Sequence, residues 1–136
     1  MKMVIVRILI ILLALFGVVI PFVGPLFGFG MGPDPAWVVT ESRIVRHVIP
    51  GIAVILGGLI LFSHSRAYRG IGITLALLGG IWFTVAPVVL GRVTGGPPAF
   101  IDMLRPLAYH YGTGLLITAL AAFALGRMSG KRAGKS

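Results

Sequence analysis

Four long apolar runs, separated by stretches that hold nearly all of the charge, set the plan of this chain. The first covers residues 3–22, with Lys2 before it and Arg7 one turn in. The second covers 48–62 and begins as early as 44 if Arg46 and His47 lie at the headgroup level. The third, 71–90, carries no charge, and the fourth covers 113–125 with room to extend back to 107. A helix needs about 20 mostly apolar residues to span a bilayer, because each backbone N–H and C=O in lipid must be bonded inside its own segment. The runs therefore predict an all-α membrane protein with four transmembrane helices. The first run is longer than the roughly 7–15 apolar residues of a signal-peptide core. Gly24, Pro25, Leu26 and Phe27 also offer no small-x-small cleavage site, so this run is read as an uncleaved helix with Arg7 snorkelling to the headgroups.

The connections differ in kind. Residues 63–70 form a short hairpin holding Arg66 and Arg69. The other two run to about 20 residues each, a length that is usually structured or functional. Asp34 followed by Pro35 has the form of a helix cap and first-turn proline, which would put Trp37, Val38, Ile44 and Val45 on one face. Pro98 opens the matching segment, with Phe100, Ile101, Leu104 and Leu107 as its apolar face until Pro106. Both are expected to be short amphipathic helices in the outer headgroup layer, anchored by Trp37 and Phe100.

Composition narrows the class. With 57% hydrophobic and 11% charged residues, nothing remains for a soluble domain. A net charge of +9 on a soluble protein would point to nucleic acid. Here the basic residues sit at helix ends and in the last ten positions without interleaved aromatics, so they read as topology signals and contacts with anionic lipid. Lys2, Arg7, Arg66, Arg69, Arg127, Lys131, Arg132 and Lys135 on one side outnumber Arg43, Arg46, Arg92 and Arg105 on the other. That predicts a multi-pass protein of the cytoplasmic (inner) membrane with both termini inside, and Asp34, Glu41 and Asp102 outside. The absence of cysteine excludes disulfides, thiolate metal centres and dithiol relay chemistry.

The chain also repeats itself. Leu13-Ala14-Leu15-Phe16-Gly17 recurs as Leu75-Ala76-Leu77-Leu78-Gly79, and Pro25 matches Pro87, at an offset of 62. At an offset of 63, Pro35-Ala36-Trp37 matches Pro98-Ala99-Phe100, His47 matches His110, and Gly51 matches Gly114. Each unit holds two helices, so both enter the membrane from one side as a parallel tandem repeat. The expected division is a first unit at 1–68, a second at 69–129 and a basic tail at 130–136. Pro25 and Pro87 are read as ending or kinking their helices.

Gly80-Ile81-Trp82 followed by Ala86-Pro87-Val88-Val89-Leu90-Gly91 resembles the SPW-repeat family of small bacterial and archaeal membrane proteins. In that family a two-helix unit carries Gly-x-Trp and then Ser-Pro-Trp. Ala86 and Val88 stand where the family has serine and the second tryptophan. The resemblance implies a two-helix repeat and brings no activity with it.

Candidate chemistry is sparse. Ala53 with Gly57, Ala76 with Gly80 and Ala122 with Gly126 lie four residues apart, a spacing that lets helix backbones approach. Packing inside the bundle is the favoured reading over an oligomer interface. His47 and His110 are foremost interfacial side chains, with a shared haem iron or metal as the lesser alternative; His64 is expected to be solvated. No run holds the carboxylate that an ion-coupled carrier needs. The glycine-rich 28–32 lacks the strand and lysine of a phosphate loop, and Asp34, Glu41, Asp102 and Arg105 read as exposed ion pairs. The expectation is a non-catalytic accessory or scaffold protein without a cofactor, partnered by the bilayer and by a membrane protein or a second copy. A small oligomeric transporter or channel is the alternative, and a bis-histidine haem protein the third.

Overall fold

The computed structural model describes residues 1–28, 34–94 and 110–133. Among the described residues four long helices carry the fold: α1 (Met3–Val23), α2 (Glu41–Ile60), α3 (Arg66–Thr94) and α4 (Gly112–Ala133). Each is long and apolar enough to cross a membrane. A single 3-10 turn, Gly24–Phe27, follows α1 and ends on Gly28 in the left-handed region (φ 73°). The helices alternate in direction. Each packs on the next, and α4 closes on α1, which makes a four-helix bundle.

The buried stripe follows the helical period. On α1 it is Val6, Ile10, Ala14, Gly17 and Pro21, while Ile8, Leu12, Leu15 and Val19 face outward. Val54 on α2, Ala76 and Phe83 on α3, and Ile117 and Ala121 on α4 complete a core with no exposed surface. The outward side chains are mostly apolar as well: Leu78 and Leu115 are 61% and 58% exposed. Such a surface suits hydrocarbon as solvent. Lipid then gives little drive for helix association, so close packing must supply it.

That packing rests on small residues. A Cβ on Gly57 would sit 2.6 Å from the Gly72 carbonyl oxygen, and one on Gly72 would sit 2.6 Å from that of Gly57. The α2 and α3 backbones are therefore in contact. Where α3 crosses α4, the sites next to Gly80 and Gly114 are filled by Thr118 and Thr84. Each threonine hydroxyl folds back on its own helix, Thr84 onto Gly80 O (3.0 Å) and Thr118 onto Gly114 O (2.8 Å), so neither enters the crossing unpaired. Of the small residues marked in the sequence, Gly57, Ala76 and Gly80 lie at these crossings and Ala53 is half-buried. Ala122 is exposed and Gly126 faces open space, so this pair takes no part in the bundle interior.

Several boundaries shift. α2 starts at Glu41, before the expected 44–48, and α3 reaches Thr94, past the expected 90, with Pro87 inside it. Residues 68 and 69 lie in the first turn of α3, which begins at Arg66. α4 continues into the expected tail as far as Ala133. The amphipathic helix expected after Asp34 is not formed: residues 34–40 are extended with one turn, and Trp37 has φ 62° and is 66% exposed. Thr40 is the actual cap, its hydroxyl accepting from Arg43 N–H. The reason lies in Arg43, a buried side chain whose guanidinium donates to the carbonyls of Asp34, Pro35 and Val38 at 3.0, 3.0 and 2.6 Å. Those carbonyls are satisfied by wrapping around a cation, with no need of a helix. Phe100 and the rest of the second segment lie outside the described residues.

Candidate functional site

At the end of the bundle where α1 finishes and α2 begins, His47 and His110 meet. Their ring centroids are 4.2 Å apart with the planes tilted by 43°, and each residue is only 4% exposed. Phe83 lies beneath, its ring edge-on to His47 at 6.1 Å and seated over Gly17, where a Cβ would come within 2.8 Å of it.

A proline explains why His47 is there. An α-helix closes each carbonyl with the N–H four residues on, and proline has none. Pro21, inside α1, leaves the Gly17 carbonyl open, and Pro87, inside α3, leaves that of Phe83 open. His47 Nδ1 lies 3.1 Å from Gly17 O; because a carbonyl only accepts, Nδ1 is the donor. The open Phe83 carbonyl lies near His110, whose Nδ1 makes no bond like that of His47 to Gly17 O. His47 thus closes a gap opened by a proline on the preceding helix.

A third proline follows the same rule with a different donor. In the widened turn Ile44–Val48, Ile49 N–H reaches back five residues to Ile44 O. Val45 O then looks to residue 50, which is Pro50 and has no hydrogen to give. Trp82 of α3 supplies it, Nε1–H donating at 2.9 Å. The tryptophan that carries the family resemblance therefore ties α3 to α2.

Beside the histidines lies a cavity of about 60 Å³ lined by Pro21, Asp34, Ser42, Arg43, Arg46, His47 and His110. His110 Nδ1 is buried without a protein partner, and the cavity is polar and roomy enough for water to serve it. The arrangement is poor for haem. Two imidazoles trans on one iron, with metal–nitrogen bonds of about 2 Å, need ring centroids roughly 6 Å apart, so these rings would have to separate. Among the described residues no group of three His, Cys, Asp or Glu is placed to hold a metal ion, and Arg43 and Arg46 bring positive charge into the same cavity.

The sequence singles out the histidine pair but not Pro21, the bonding of Trp82 or the role of Arg43. A proline four residues after a buried carbonyl, with a lone histidine on the next span, is the available signal. His64 is exposed, as a solvated hairpin residue would be. Comparison with protein-family models, curated proteins and solved structures gives no match to this chain.

Proposed function

We propose that the protein is a non-catalytic accessory or scaffold component of the cytoplasmic membrane, multi-pass with both termini inside, acting through its packed helices and lipid-facing surface. One observation carries this reading. The histidine cavity and a second cavity lie at opposite ends of the bundle, and between them Ile10, Ala14, Val54, Ala76, Phe83, Ile117 and Ala121 form an apolar plug with no exposed surface. A solute path along the bundle axis would have to cross that plug without a polar group to replace its hydration. His47 and Trp82 are engaged in closing backbone gaps, a structural duty that supports the same reading. The two-helix repeat and its likeness to SPW-repeat proteins fit a scaffold of this kind, and the outward small-residue pair Ala122 and Gly126 gives a membrane partner or second copy a place to approach.

Reconstitution tests the proposal. Proteoliposomes are expected to pass protons, potassium and small solutes no faster than protein-free vesicles, and the purified protein to show no Soret band. Cross-linking in native membranes should return one reproducible neighbour, either a second copy or a single other protein. Flux well above the vesicle background would replace the scaffold reading with the channel, and stoichiometric haem would replace it with the electron carrier.

A further inference from the structure

The opposite end of the bundle holds a cavity of about 120 Å³ lined by Met3, Arg7, Leu61, Arg66, Arg69, Ile73, Ala124, Arg127 and Met128. Four arginines from three helices converge on it, and among the described residues no carboxylate lines it. The described acids, Asp34 and Glu41, are at the histidine end. Arg7 does not simply snorkel away from α1: its guanidinium lies over Phe62, 5.2 Å from the ring centroid, at the wall of the cavity. The Nε of Arg7 and that of Arg69 are both buried and lack a partner. Arg66 spends one nitrogen on Met128 O at 2.8 Å, which fixes it across the mouth, and Arg127 stands over Phe123.

Bringing four guanidinium groups together with no counter-charge is unfavourable, and buried donors left unpaired add to the cost. A ligand that offsets both must be an anion with several acceptor oxygens. Guanidinium matches phosphate best, since its planar fork donates two parallel hydrogen bonds. The floor of Leu61, Ile73, Ala124 and two methionines is apolar, so the ligand has an apolar side as well. We propose that this pocket binds a phosphate group, held by Arg7, Arg66, Arg69 and Arg127, with an anionic phospholipid headgroup and free phosphate as the two sources of that chemistry.

Native mass spectrometry of the whole protein, purified from mixed phosphatidylglycerol and phosphatidylcholine, separates the sources. The expected result is retention of phosphatidylglycerol about fivefold above its share of the mixture, falling to near parity in Arg7→Gln/Arg69→Gln, since one basic residue near an anionic surface is worth about fivefold in affinity. Arg127→Gln, an exposed site, gives an intermediate loss and carries the test if the double variant fails to purify as a single species. Inorganic phosphate bound with the same arginine dependence, and no lipid preference, assigns the pocket to a soluble phosphate. Equal retention of the two lipids without phosphate binding, or a preference untouched by the substitutions, overturns the proposal.

Discussion

Replacing His47 with alanine is expected to cost about 1–3 kcal/mol of stability in the native chain and clearly less when Pro21 is also alanine. The difference comes from the Gly17 carbonyl. With proline at 21 that oxygen has only the His47 Nδ1–H, and losing it leaves a buried acceptor unpaired. With alanine at 21 the backbone N–H returns and closes the same oxygen inside α1, so the histidine is no longer needed. The cavity left by the imidazole is common to both backgrounds and drops out of the comparison. Unfolding in mild detergent, followed for wild type, two single variants and the double, reads the coupling directly. A coupling of about 1 kcal/mol or more is the expected result, and strict additivity would mean that His47 does something other than close this carbonyl.

The largest effect is expected at the α2–α3 contact. A Cβ at residue 72 meets a carbonyl oxygen at 2.6 Å, and backbone cannot step aside as a side-chain tip can. Gly72→Ala should therefore cost about 1–3 kcal/mol, and Gly72→Leu more, separating the two helices. The same change where no neighbour lies within 4 Å, at Gly70 or Gly126, should be neutral or stabilising by about 0.5–1 kcal/mol, because alanine is the better helix former. Opposite signs at Gly70 and Gly72, two residues apart on one helix, distinguish packing from propensity.

The helical plan is legible in the sequence because hydrocarbon imposes it: the runs at 3–22 and 71–90 could be little else. The paired position of His47 and His110 is legible too: the two match at an offset of 63 in the sequence, and they meet at one end of the bundle. What the pattern does not give is the reason for that meeting. Pro21 is inconspicuous within an apolar run, since hydropathy does not register a missing N–H. The stretch after Asp34 looks helical because Asp-Pro is a common cap, yet Arg43, nine residues on, claims its carbonyls. The converging arginines read as a topology signal spread over three helix ends, and only the closing of α4 on α1 gathers them around one cavity.

Everything rests on four crossings of the membrane, which put His47 and His110 at one face and Arg7, Arg66, Arg69 and Arg127 at the other. Because the chain has no cysteine, single cysteines report position without background. Val39→Cys, Ser65→Cys and Ser129→Cys all lie at exposed sites near helix ends. Labelled in sealed vesicles with a membrane-impermeant maleimide, the thiols at positions 65 and 129 are expected to react from one common side and the thiol at position 39 only from the other. Reaction of all three from the same side, or of positions 65 and 129 from opposite sides, would contradict the four-span bundle.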